Sequence, residues 1–284
     1  MLIKRILWGC IFLCFFSVAH AAMQTNTANQ LANLNYATPA FSAPPNAVFH
    51  TSNEKSNWTF DVVPYLWALN MNGRVQVANQ TSHVDQTFSD IMQQFDSGGM
   101  LWLDTYYKEK IGVFLNSLYA SLSTSDTVDG VEIISRTRFG LFTLGAFYKA
   151  YTHSFGPSAD KNRIELEPYV GARYTLNHTT LDVGTLLSLK DNQGWTDPIV
   201  GTRLNYLFNQ YWLVTFAADV GGTNLRSDVS YNLVGLLGYK PASYATVYLG
   251  YHDLYQHYVT GHDSDHFDWQ MRLFGPVLGL AFRF

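Results

Sequence analysis

Arg163-Ile164-Glu165-Leu166-Glu167-Pro168-Tyr169-Val170-Gly171-Ala172-Arg173-Tyr174-Thr175-Leu176-Asn177 sorts its side chains by parity. Odd positions carry Arg163, Glu165, Glu167, Arg173, Thr175 and Asn177, with Tyr169 and Gly171 among them. Even positions carry Ile164, Leu166, Pro168, Val170, Ala172, Tyr174 and Leu176. A period of two over fifteen residues is a strand with one wet and one apolar face. Its length exceeds an ordinary globular strand and matches one that crosses a bilayer at a tilt. A one-residue slip would turn Arg173 toward hydrocarbon, at about 2–4 kcal/mol near the midplane, so the parity is firmly set.

The same sorting recurs along the chain. Asp197, Gly201, Arg203 and Asn205 oppose Pro198, Val200, Thr202, Leu204 and Tyr206; Thr215 and Asp219 oppose Trp212, Val214, Phe216 and Val220. Asp61 between Phe60 and Val62, and Asp104 between Leu103 and Thr105, follow it too. Composition agrees: charged residues make up 14% and aromatics 15%, with 18 Tyr, 19 Phe and 7 Trp. A chain this poor in charge must hide apolar surface, and no later segment is long and apolar enough for a spanning helix. A bilayer then demands a closed barrel, in which every backbone group is paired. The expected fold class is all-β, an antiparallel transmembrane β-barrel.

At the start, Lys4 and Arg5 precede an apolar run from Ile6 to Val18, followed by Ala19-His20-Ala21. This is the form of a secretory signal, expected to occupy residues 1–21 with Sec-type export and cleavage after Ala21. Both cysteines, Cys10 and Cys14, fall inside it, so the mature chain has no thiol for a disulfide or a metal. Of the 18 basic residues two lie in the signal, against 22 acidic ones beyond it; this acidic balance speaks against nucleic acid as a partner. Residues 22–56, rich in Asn, Ala, Thr, Ser and Pro, read as a flexible periplasmic leader, and 57–284 as the barrel.

Ten strands are expected near 58–69, 99–108, 112–123, 131–152, 163–182, 195–207, 211–221, 228–239, 243–258 and 267–284. Arg74–Ala78 and His83–Phe88 form either a short hairpin outside the wall or two further wall strands, making twelve. Short turns at 108–112, 208–210 and 239–243 belong on the periplasmic side; longer loops at 123–130, 183–194, 221–228 and 259–266 belong outside. The long connection 154–162 falls on the periplasmic side by count. Ser89, followed by Ile91, Met92 and Phe95 at helical spacing, predicts a short helix near 89–95 that caps the mouth, plugs the lumen or packs as a surface turn.

The ending Phe274-Gly275-Pro276-Val277-Leu278-Gly279-Leu280-Ala281-Phe282-Arg283-Phe284 resembles the closing strand of bacterial outer-membrane proteins. That resemblance implies recognition of Phe282 and Phe284 by the barrel-assembly machinery. Pro64-Tyr65-Leu66-Trp67, Phe88-Ser89-Asp90-Ile91, Trp195 to Arg203, Asp219-Val220-Gly221-Gly222, Leu249-Gly250-Tyr251 and Gly275 to Leu280 together resemble an uncharacterised Gram-negative outer-membrane β-barrel family, of the small OmpX and opacity-protein kind. The resemblance implies fold and location and no activity. At His252-Asp253 this chain departs from that pattern.

Candidate chemistry falls in two sets. Asp61, Asp104, Glu165, Glu167, Arg173, Asp197, Arg203, Asp219 and Arg283 are expected to face the lumen, as opposite charges that bridge it or as an ion-selective constriction. His252, His257, His262, Asp263, Asp265 and His266, with Asp253, gather near the rim, where imidazole and carboxylate suit a metal or acid–base chemistry, or simply a solvated loop. No catalytic residue, metal or cofactor is assigned. The Tyr and Trp excess suits interfacial girdles. The expected function is a nonenzymatic integral outer-membrane barrel, either a narrow pore or a side-chain-plugged structural or surface-contact protein. The alternatives are a hydrolase or lipid-modifying enzyme at the extracellular rim, and an adhesin acting through its loops. Outer-membrane lipid and lipopolysaccharide are the expected partners.

Overall fold

The computed structural model describes residues 56–77, 80–128, 131–155, 162–183, 187–209, 211–222, 227–262 and 266–284. The expected signal and the leader up to residue 55 lie outside them. The first elements are β1 (Trp58–Trp67), β2 (Asn70–Val77), β3 (Gln80–Gln86), α1 (Phe88–Gln93) and β4 (Phe95–Tyr107). There follow β5 (Ile111–Val128), β6 (Val131–Tyr148), β7 (Tyr151–Ser154), β8 (Arg163–Val183) and β9 (Leu187–Phe208). The last are β10 (Trp212–Gly221), β11 (Ser227–Ala242), β12 (Ala245–Thr260) and β13 (Phe267–Arg283). Ten antiparallel strands close into a barrel in the order β1-β4-β5-β6-β8-β9-β10-β11-β12-β13, with β13 returning to β1.

The twelve-strand alternative fails, and the reason lies in the register. Trp67 faces Val277 across the β1–β13 ladder, and Asn70 faces Phe274 across β2–β13. β2 is therefore β1 continued along β13, interrupted only at Ala68 and Leu69. β3 folds back on β2, and the β1–β4 ladder ends at Pro64 and Leu101. The early hairpin thus lengthens the first wall strand. β7 is a short strand paired with β8.

The helix spans Phe88–Gln93, and its cap is Thr87 rather than Ser89. The Thr87 hydroxyl accepts from the Asp90 N–H at 3.4 Å, while Thr87 N–H donates to the Asp90 carboxylate at 2.9 Å, a reciprocal capping box. Ile91 is fully buried in the apolar cluster of the lumen, while Phe95 opens β4.

Two of the expected long loops are largely strand. β5 runs to Val128 and β9 starts at Leu187, leaving only 129–130 and 184–186 between the hairpin arms, outside the described residues. With 22 residues in β9, at about 3.3 Å per residue and a tilt near 40°, the wall stands roughly 50 Å tall. The apolar outer band covers only part of that height. On β13, outward Phe274, Pro276, Leu278, Leu280, Phe282 and Phe284 rise about 25 Å, the height of a bilayer band. Val170 and Leu249, 61% and 60% exposed, belong to the same band.

Above it the two faces exchange polarity. Outward positions on β12 and β13 become Asp253, Tyr255, His257, Asp268, Gln270 and Arg272, while inward ones become Leu254, Tyr258, Phe267, Trp269, Met271 and Leu273. The upper barrel is thus built like a water-soluble protein and the lower barrel like a membrane one. This is why the upper strand ends read as loops: their outward residues are polar. At the lower end, the three-residue turn 108–110 after β4 holds Lys108 and Glu109 at φ 50 and 54, with Lys110 N–H donating to Tyr107 O at 3.1 Å.

Candidate functional site

Period-two alternation on ten strands delivers one inward side chain every second residue, and the lumen fills from the bottom in tiers. The lowest lies at the short-turn end. Arg283 grips Asp61 with Nε donating to Oδ1 at 2.7 Å and Nη2 to Oδ2 at 2.5 Å. Across from it, Glu165 accepts from Lys149 at 3.0 Å and lies 2.7 Å from Arg163 Nε.

The next tier centres on Arg203. Its Nη1 donates to Asp104 at 2.6 Å, and Nε lies 3.5 Å from Glu167. The rings of Trp102, Phe114 and Phe147 surround its guanidinium at 5.5, 5.9 and 5.1 Å from their centroids. Gly145 makes room for one of them: a Cβ there would fall 2.4 Å from the Phe114 ring. Asn205 donates to Glu167 at 3.3 Å and accepts from Thr215 at 2.8 Å. A planar guanidinium that shares two carboxylates while stacked on rings suits arginine and not lysine.

Higher again, Asp219 accepts from Arg173 at 2.6 Å, Tyr169 at 2.9 Å and Asn232 at 2.8 Å. Asn232 Oδ1 lies 2.5 Å from His252 Nε2, and the His252 ring stacks on Trp67 at 3.9 Å. Gln256 then donates to Asp197 at 3.3 Å and to Thr175 at 2.9 Å. Over this tier lies the apolar cluster. Trp195 stacks on Tyr258 at 4.5 Å, Trp269 and Phe139 pack beside them, and Leu118, Leu122, Met271 and Ile91 fill the rest.

All nine expected lumen charges face inward: Asp104 meets Arg203 from strands far apart in the barrel, Arg173 reaches over one strand to Asp219, and Asp61–Arg283 and Glu167–Arg203 are register neighbours on adjacent strands, while Glu165 is held by Lys149 and Arg163 and Asp197 accepts from Gln256. Sequence reasoning missed Lys149, Tyr169, Asn232 and Gln256 as their partners. The parity of β8, β11 and β12 places the last three inward, so an inward count extended to neutral polar residues would have found them.

The expected rim cluster does not form one site. His252 points into the lumen, whereas His257, an odd number of residues later on the same strand, points outward and lies 3.2 Å from Asp268. Asp253 is also outward, engaged by Arg272 at 2.5 Å. His262 is exposed and His266 half-buried, while Asp263 and Asp265 lie outside the described residues.

Among the described residues, voids interrupt the filling. Above Arg203 a space of about 30 Å³ holds roughly one water. Below it a cavity of about 270 Å³ opens toward the short-turn end.

No family model and no curated protein matches the sequence. Among solved structures the chain is similar to the outer membrane protease OmpT from Escherichia coli, at 11% identity and a TM-score of 0.48, covering 81% of this chain and 98% of that one. It is also similar to Ail, the attachment invasion locus protein of Yersinia pestis, at 11% identity and a TM-score of 0.35, covering 81% and 99%. Neisserial surface protein A aligns at 12% identity and 0.30, covering 81% and 98%.

Proposed function

We propose that this chain is an integral outer-membrane β-barrel with a closed lumen, a structural and surface-contact protein rather than a pore. One observation carries it: the tiers of paired charge at Arg203 and Arg173 lie directly beneath an apolar cluster that fills the lumen above. Ions cross neither part readily, because the first offers charges already neutralised by one another and the second is packed with apolar and aromatic side chains that offer an ion few ligands. Ten strands also give a bore only slightly wider than the roughly eight-stranded barrel that side chains fill. The apolar band supports lipid around the lower half. The polar collar above it supports a surface held in water, where the hairpin tips meet other molecules.

Conductance of the refolded chain in planar bilayers tests this. No steps above background are expected; steady steps whose ion selectivity changes with Arg203→Glu would overturn the closed-lumen reading.

A further inference from the structure

The lower cavity has two unlike walls. On one side Asp104, Arg203, Glu165 and Asn205 hold one another or their neighbours. On the other, Leu213, Val234, Leu236, Val277 and Ala281, from β10, β11 and β13, make an apolar wall. At the mouth, Asp61 is held by Arg283, and Glu165 by Lys149 and Arg163. Lys240, at the foot of the apolar wall, also lines the mouth and takes part in none of the ion pairs among the described residues.

The geometry points to a binding site for a small amphiphilic anion: a carboxylate at Lys240 with an apolar tail running up along Leu236, Val234 and Val277. Each part has its cause. Lys149, Arg163, Lys240 and Arg283 line the mouth against Asp61, Glu109 and Glu165, so the cations outnumber the acids there and the local field favours a negative guest. The wall above it is apolar and reaches water only through the open end, so a tail placed there leaves water without uncovering a polar group. A cavity of about 270 Å³ lies at the small end of ligand sites and holds a chain of about eight carbons. A bare inorganic anion would leave the apolar wall unused. This inference rests on the closed-lumen reading only in making the cavity a blind chamber, and binding is measured apart from conductance.

The test is calorimetric titration of the refolded full chain in lipid nanodiscs with octanoate, octanol, octylammonium and inorganic phosphate, against protein-free nanodiscs. Saturable octanoate binding is expected, with the other three at least about tenfold weaker. Lys240→Gln should bring octanoate to the level of octanol. Gly279→Leu should remove both, because a Cβ at Gly279 sits 3.4 Å from Tyr65 Cβ and Val63 Cγ1 and carries the rest of the side chain into the cavity. Heat-modifiable gel mobility verifies that both variants are folded barrels. Octylammonium or phosphate binding as tightly as octanoate, octanoate affinity unchanged by Lys240→Gln, or uptake equal to that of empty nanodiscs would each overturn the assignment.

Discussion

Arg173 and Asp219 are almost wholly removed from solvent, with side-chain exposures of 3% and 2%. A buried pair of this kind costs much to desolvate, and breaking one half leaves the other charge stranded. Arg173→Met should therefore lower stability by about 3–5 kcal/mol, read as a fall in the urea midpoint at unchanged slope. Arg173→Met with Asp219→Asn should recover a large part of it, since the amide keeps an acceptor for Tyr169 and Asn232 without a charge. Equal losses in both variants would show that the stranded carboxylate is not the cause. At this scale the sequence is half legible. That Arg203 and Asp104 both face inward follows from their neighbours alone. That they meet does not, because the pair spans 99 positions and strands far apart in order, and contact across a lumen is decided by closure and stagger of the whole barrel.

Among the elements, α1 depends on local chemistry more than any strand. It has six residues, too few to hold by propensity, and is fixed by the Thr87 cap and by Ile91 in the apolar cluster. Thr87→Ala should cost about 1 kcal/mol, seen as faster amide exchange at Asp90 and Ile91, with strand amides unchanged. The Asp90 carboxyl is held below the usual carboxylate range, first by the Thr87 hydroxyl and then by the Thr87 N–H. A lowered value means support that is present above the unfolded-state value and lost as pH falls through the folded one. Acid should therefore loosen α1 in the native chain, and the acid effect should be smaller in Thr87→Ala. Existence and type of the helix were readable from Ile91 and Met92; its start was not, because Ser89 and Thr87 are both good caps and only the partner at Asp90 separates them. The strands show the complementary case. Where the outward face is apolar, as from Ile164 to Tyr174, their course was plain. Beyond Leu122 and before Trp195 the outward faces turn polar and the same backbone looked like loop.

At the scale of the whole molecule, the position of the apolar band sets the depth of the barrel in a bilayer. Leu278→Arg, within the band, should cost about 2–4 kcal/mol in lipid refolding titrations, whereas Gln270→Arg, eight residues higher on the same face of β13, should cost nearly nothing. Similar penalties at both sites would mean that the collar too is bathed in hydrocarbon. The exchange of polarity between collar and band also bears on how the chain assembles. In the collar, Trp195, Tyr258, Trp269 and Met271 leave water for one another's company, a process that needs no membrane and carries the heat-capacity signature of aqueous collapse. In the band, the outward side chains gain only when hydrocarbon replaces water around them. One chain thus has two driving forces acting in two solvents. The first can gather the hairpin tips into a nucleus while the second still awaits lipid, leaving the meeting of β1 with β13 as the step that the bilayer licenses.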